Sequence, residues 1–392
     1  MLRRFSVSFV GRIVAALLQV GVFALFARLL GVSGFGYFAT VISVTLVAMS
    51  VLELGMGARV LRAGSDSTGR SSLTTFALVR AGLIIVLPFA ALGYAQLLDI
   101  PTVLAVTAAV YAAGEATGDL AVGILQGERR SWAAMAVLVS RRAAALVPIL
   151  IVSSEQGALV GALSAAAAGI VLFGSLVLHR LARPRSLVSL IRENLGVMFS
   201  GGAANTSQLD VAVVNGRLGS VDAGLFASAT RLFNPISMLI ATLLQVLIPE
   251  LASAGSGARK MAVFRRARLL VYGFSVALIA ASFVAPQIVV LLYGESFAGA
   301  APVAVAVFVG AGLSAVSQIH LAWFYSERVP VIVPALMWVA VLGGLASIWT
   351  LSVAMGLVGA AVGLVAMQFL FAASIVGPWF VATAHLRRQS SN

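Results

Sequence analysis

The chain reads as a succession of apolar runs, each near the length of a membrane crossing, separated by short polar breaks. The runs fall at 8–30, 37–58, 73–94, 102–125, 132–153, 157–178, 194–216, 223–248, 269–293, 300–323, 331–354 and 357–384. About 20 apolar residues in a helix span the hydrocarbon core of a bilayer. A helix also satisfies its own backbone groups where no water can. The expected fold class is therefore all-α integral membrane, with about a dozen transmembrane helices. Composition closes the soluble alternative: 61% of the residues are hydrophobic and only 10% charged, whereas a soluble surface uses about a quarter. The first run is too long for a signal-peptide core and carries Arg12, so it is read as the first spanning helix.

The polar breaks alternate in charge. One set holds Arg3 and Arg4; Arg62 and Arg70; Arg129 and Arg130; Arg180, Arg183, Arg185 and Arg192; Arg259, Lys260, Arg265, Arg266 and Arg268; Arg328; and Arg387 and Arg388. The other set holds Asp99, Glu155, Asp222 and Glu295, with Arg28 and Arg217 at helix ends. Basic loops stay in the cytoplasm. The pattern thus predicts a multi-pass protein of the bacterial inner membrane, an even helix count and both termini cytoplasmic. Topology accounts for the net charge of +13, so no nucleic-acid partner is expected. There is no cysteine, and His179, His320 and His385 are far apart; no disulfide or metal site is expected. The sequence lacks a Walker loop, a Ser-His-Asp set, a nucleotide-binding glycine motif and any large extramembrane domain. It reads as a non-enzyme without a cofactor.

The chain also repeats itself. LGVSGFGYFAT (30–40) aligns without gaps to LGSVDAGLFAS (218–228), with Leu30/Leu218, Gly31/Gly219, Gly36/Gly224, Phe38/Phe226 and Ala39/Ala227 identical. Both segments lie at the outer turn after the first helix of a half. An even number of helices per half gives parallel repeats, related by an axis along the membrane normal around a central cavity. The expected organisation is an N-terminal six-helix lobe (1–178), a basic cytoplasmic linker (179–193) and a C-terminal six-helix lobe (194–392).

Ionisable groups inside the runs mark candidate sites, because charge in hydrocarbon is costly unless it faces a partner or a water-filled cavity. Arg12, Glu53, Arg80, Glu115, Asp119, Arg141, Arg142, Asp210 and Arg231 qualify, whereas the last four runs carry none. Arg12, Arg80, Arg141, Arg142 and Arg231 are candidates for binding an anionic substrate. A diphosphate suits the guanidinium fork. Ser8, Arg12 and Gln19 share one helix face, as do Asn205, Gln208 and Asn215. Gln19, Asn205, Gln208 and Asn215 are candidate cavity-lining residues, with interhelical hydrogen bonding as the competing role. Glu53, Glu115, Asp119 and Asp210 are candidates for ion or proton coupling. Glu115 and Asp119, one turn apart with Tyr111 a turn before, can share a proton or hold a cation. Equally, they can neutralise nearby arginines, and Asp210 can pair with Arg231.

The segment ARLLGVSGFGYFATVISVTLVAMSVLELGMGARVLR (27–62) resembles the first helix pair of bacterial polysaccharide flippases. These are the O-antigen and capsule oligosaccharide exporters of the multidrug/oligosaccharidyl-lipid/polysaccharide superfamily. LDVAVVNGRLGSVDAGLFASATRLFNPI (209–236), then LLQVLIPELA (243–252) with Pro249 and Glu250, and APQIVVLLYGESFAGAAP (285–302) resemble later parts of the same family in order and spacing. The resemblance implies transfer of a polyprenyl-diphosphate-linked oligosaccharide to the periplasmic leaflet by alternating access, for O-antigen (lipopolysaccharide), capsule or exopolysaccharide synthesis. It also implies coupling to a Na+ or H+ gradient, contact with membrane lipids, a monomeric state and a polysaccharide polymerase as a neighbour. It carries over no shared catalytic residue. Two alternatives stay open: a cation-coupled multidrug exporter of the same superfamily, which would favour an acidic cavity, and an integral-membrane polysaccharide polymerase, which would need a sizeable outer loop. The DSTGR segment (66–70) echoes a major-facilitator loop, but Arg62 and Ser71 stand where that motif needs glycine and a base.

Overall fold

The computed structural model describes residues 2–52, 67–128, 130–234, 236–238, 240, 251, 258–326, 330 and 332–389. Among them every regular element is helical. Numbered by passage, the helices are α1 (2–30), α2 (32–52), α3 (Ser67–Leu97), α4 (Thr102–Gly127), α5 (Ser131–Ile151) and α6 (Glu155–Leu178). They continue as α7 (187–218), α8 (Ser220–Thr230), α9 (258–293), α10 (Ala301–Ser326), α11 (332–355) and α12 (357–389). Seven helical stretches among the described residues are long and apolar enough to cross a membrane, and the chain is a multi-pass membrane protein. The first and last of these stretches hold two passages each. Helix α4 is as long but carries Glu115 and Asp119, which lower its hydropathy.

Glycine makes four of the reversals among the described residues. Gly31 (φ 69°), Gly219 (φ 90°), Gly294 (φ 97°) and Gly356 (φ 59°) adopt left-handed backbone that a Cβ disfavours. Phe26 and Phe38 lie twelve residues apart, about 18 Å along a straight helix. Their rings are 5.3 Å apart, so α1 and α2 fold back on each other at Gly31. At the other end of the chain, a methyl on Gly344 would fall 2.3 Å from Met367 Cγ, and one on Gly363 2.6 Å from Ile348 Cα. The α11–α12 pair is therefore an antiparallel hairpin packed through small residues.

The chain forms two compact units, residues 1–227 and 228–392. In the first, α4 packs against α1, α3, α5 and α6, and α7 runs along the α1–α2 hairpin. Backbones of α4 and α6 touch: a methyl on Gly114 would meet Ala166 Cα at 2.3 Å, and one on Gly169 would meet Gly114 O at 2.3 Å. Tyr111 of α4 closes an aromatic cluster, 6.3 Å from Phe23, 5.8 Å from Phe26 and 5.8 Å from Phe38. Thr74 and Thr75 of α3 hold the 181–186 segment: Ala182 N donates to Thr74 Oγ1 at 2.9 Å and Thr75 Oγ1 donates to Arg185 O at 2.8 Å. In the second unit, α10 packs on α9 and on the α11–α12 hairpin.

The two repeat segments meet each other reciprocally. A methyl on Gly36 would fall 1.9 Å from Ser220 O, and one on Gly224 1.9 Å from Val32 O. Val32 and Ser220 occupy equivalent repeat positions, so the contact is self-complementary. Ser33 and Ser220 hydroxyls close it at 2.6 Å. Phe38, Ala39, Phe226 and Ala227 are all buried, each at its matching position.

Three features depart from the sequence reading. First, α9 starts at Ala258 rather than near 269, so Lys260, Arg265, Arg266 and Arg268 ride on helix instead of loop. Lys260 is buried with Nζ 4.7 Å from the Trp323 ring centre, and Arg268 Cζ lies 5.5 Å from that of Trp379. Cation–π contact lets apolar packing extend into a basic segment. Second, α7 is broken by a 3₁₀ turn at Ser207–Leu209. Thr206 Oγ1 donates back to Gly202 O and Ser207 Oγ to Ala204 O, the kind of competition that bends helices. Third, α2 begins at 32 rather than 37 because Gly31 alone makes the turn. Glu53, Pro249 and Glu250, and most of the 223–248 run beyond α8, lie outside the described residues.

Candidate functional site

Two helices bring four of the predicted residues together. Glu115 and Asp119 sit one turn apart on α4, and Arg141 and Arg142 are neighbours on α5. Arg141 Nη2 donates to Glu115 Oε2 at 2.9 Å and to Asp119 Oδ1 at 3.0 Å, while its Nη1 reaches the same Asp119 oxygen at 3.0 Å. Arg142 Nη1 donates to Glu115 Oε2 as well. Two carboxylates thus face two guanidiniums, and the cluster is balanced in charge rather than cationic. The pairing role, one of the alternatives open in the sequence, is the one seen for Glu115 and Asp119.

The arrangement is uneven in two respects. Glu115 Oε2 serves both arginines, whereas Glu115 Oε1, Arg141 Nε and Arg142 Nε are buried with no hydrogen-bond partner among the described residues. The Arg141 side chain is fully buried, yet the Asp119 side chain is 64% exposed. Asp119 lies eight residues from Gly127, about 12 Å inside the end of α4. A carboxylate exposed at that depth is costly unless it meets a partner or water. The cluster therefore reaches from the buried interior at Arg142 to the exposed face at Asp119.

Gly118 makes room for it. A methyl there would lie 2.3 Å from Arg141 Nη1 and 2.5 Å from Arg141 Cζ. The Arg141 guanidinium lies flat across the α4 backbone because position 118 has no side chain. Sequence reading missed this residue, although Gly114 and Gly118 form a small-xxx-small pair, a signal for close helix approach.

The remaining candidates lie elsewhere. Arg12 is half-buried and hydrogen-bonds Gln126 at 3.5 Å near the arginine-rich end of α4. Arg80 is buried between α3 and α2, with Nη1 3.8 Å from Met49 Sδ and Cζ 5.5 Å from the Phe76 ring centre. Gln19 is half-buried on α1. Asn205, Gln208 and Asn215 straddle the 3₁₀ turn of α7; Asn215 is buried and the other two half-buried. Asp210, the first residue of the helix that restarts after the 3₁₀ turn, accepts from Val211 N at 2.7 Å. Arg231 belongs to the second unit, where its charge bears on the buried Tyr293. Among the described residues no group of His, Asp and Glu is arranged to hold a metal ion.

The profile of a family described as "Polysaccharide biosynthesis protein" matches residues 1–254. The chain belongs to that family. The matched region includes both repeat segments and the whole α4–α5 cluster. No curated protein matches the sequence. Among solved structures, an inward-facing multidrug resistance MATE family transporter of the MOP superfamily superimposes with a TM-score of 0.72 at 16% identity, over 98% of this chain and 99% of that one. The outward-facing conformation of such a transporter gives a TM-score of 0.64 at 17% identity, over 98% and 96%. The lipid II flippase MurJ, in an inward closed conformation, gives 0.67 at 13% identity, over 96% and 87%. This family member therefore has the MOP-superfamily fold.

Proposed function

We propose that this chain is a flippase. It carries a polyprenyl-diphosphate-linked oligosaccharide from the cytoplasmic to the periplasmic leaflet of the bacterial inner membrane for O-antigen, capsule or exopolysaccharide synthesis. It works by alternating access, as a monomer without a chemical step, beside a polymerase, and it draws on a Na+ or H+ gradient. The six-helix lobes of this scheme are 1–178 and 194–392, joined by 179–193, with both termini in the cytoplasm. Family membership supports the pathway. The observation that carries the mechanism is the Arg141–Asp119 pair, in which a buried guanidinium meets an exposed carboxylate at membrane depth.

A diphosphate arriving on the wet side competes with Asp119 for Arg141, because both present oxygens to the same fork. Protonating Asp119, or binding a cation there, weakens its hold and frees Arg141 for the substrate. Glu115 stays behind to keep Arg142 and Arg141 compensated. That division gives coupling a physical route, since an ion shifts the equilibrium only by its differential affinity for the two states.

The test is made on lipid extracts from cells lacking the gene. Accumulation of a polyprenyl-diphosphate oligosaccharide on the cytoplasmic leaflet, with loss of surface polysaccharide and rescue by the gene, is the expected result. Unpolymerised units reaching the periplasm would make it a polymerase. An unchanged pool of lipid-linked sugars would leave the multidrug exporter, the alternative that the MATE-like fold accommodates.

A further inference from the structure

At the arginine-rich end of the first unit, the ends of four helices surround a polar cavity of about 440 Å³. Arg70 of α3, Glu128 after α4, Arg130 before α5, and Ser175, His179 and Arg180 at the end of α6 line it. Among the described residues three arginines face one carboxylate. That carboxylate is already engaged: Arg180 Nε donates to Glu128 Oε1 at 2.8 Å and Arg180 Nη2 to Glu128 Oε2 at 2.9 Å. Arg180 also donates to Leu176 O, covering the negative end of α6. Arg130 stands off at 3.9 Å from Glu128 with its side chain 59% exposed. Among the described residues no hydrogen bond or ion pair holds the Arg70 side chain, which is exposed.

The backbone adds to the field. Arg130 is the N-cap of the 21-residue α5 and no side chain caps that end. The first amides of α5 therefore present the positive end of the helix dipole beside Arg130. Exposed apolar side chains neighbour the lining residues in sequence: Trp132, two residues after Arg130, is 70% exposed, Leu178, next to His179, 67%, and Leu181, next to Arg180, 55%. Arginines with exposed tryptophan and leucine beside them in the chain suit a lipid at the interface, which offers both phosphate and acyl chains. A free phosphate would make no use of the apolar neighbours.

We infer that this cavity binds the phosphate headgroup of an anionic phospholipid from the surrounding leaflet, held by Arg70 and Arg130 while the Arg180–Glu128 pair forms the floor. The site is separate from the Arg141 cluster, and the inference stands whether or not the chain is a flippase.

The experiment uses the full chain in phosphatidylcholine nanodiscs, with and without phosphatidylglycerol, and counts retained phosphatidylglycerol by native mass spectrometry. Arg70→Gln with Arg130→Gln should lower its affinity about fivefold per arginine. Arg265→Gln with Arg266→Gln, which removes equal charge from α9, should change nothing. Thermal unfolding in pure phosphatidylcholine checks that each variant is folded. If the double variant does not fold, the exposed Arg130→Gln alone carries the test at half the logarithmic effect. Undiminished retention by the cavity variants, or equal loss in the α9 variant, overturns the site. Equal protection by inorganic phosphate in pure phosphatidylcholine would make it a free-anion pocket and overturn the lipid assignment.

Discussion

Glu115 and Asp119 bind the same arginine, yet burial gives them different work. Glu115 is nearly dry and compensates two guanidiniums. Removing its charge leaves Arg142 without a carboxylate and Arg141 with Asp119 alone, and a buried charge stranded in this way costs about 3–5 kcal/mol. Glu115→Gln is therefore expected to lower the unfolding temperature strongly and to reduce protein level in the membrane. Asp119 is mostly exposed, and water screens its pair. Asp119→Asn should change stability by less than about 1 kcal/mol while altering export of lipid-linked oligosaccharide. A stability profile in mild detergent, beside an export assay on the same variants, separates the two. Equal stability loss for both would sink the division of roles. The same logic governs neutralising the arginines: Arg141→Gln with Arg142→Gln strands Glu115, so the informative variant also carries Glu115→Gln. It should remain in the membrane and fail to transport.

At the scale of helices, close approach depends on residues without side chains. Gly36 and Gly224 each place Cα against a carbonyl of the other repeat segment. A valine at either position forces backbone apart, a cost of about 1–3 kcal/mol or more. The two sites share one contact, so the double variant should cost less than the sum. Thermal unfolding of the two single variants and the double measures this directly. Gly118 is a local case of the same rule. Gly118→Val should push Arg141 off α4, separating it from Asp119 and reducing transport more than stability, because Arg141 is long enough to move. Its outcome is read by the same paired assays.

For the whole molecule, the decisive expectation is orientation. The chain has no cysteine, so single cysteines report sidedness without background. Glu155→Cys, in the glycine- and acid-bearing set of turns, should react with a membrane-impermeant thiol reagent added to intact spheroplasts. Arg183→Cys, in the segment held by Thr74 and Thr75, should react only after the membrane is opened. The reverse labelling would invert the topology and move the phospholipid site to the other leaflet.

The sequence by itself determined the solvent, the class of fold, the helix count to within the described residues, and the glycine turns. Each of these depends on local pattern: run length against bilayer thickness, and left-handed backbone against a Cβ. It also determined the family, whose profile matches residues 1–254. Tertiary structure alone decided how charges pair. Arg141 and Glu115 are 26 residues apart in sequence, and helical periodicity gives a face without saying which helix lies against it. The balance of the α4–α5 cluster, the place of Gly118 beneath Arg141, and the meeting of the two repeat turns all depend on which neighbour each helix packs against. So does the upward extension of α9 through Lys260 on Trp323. Packing is a property of pairs of helices, and a single run carries only its own half of it.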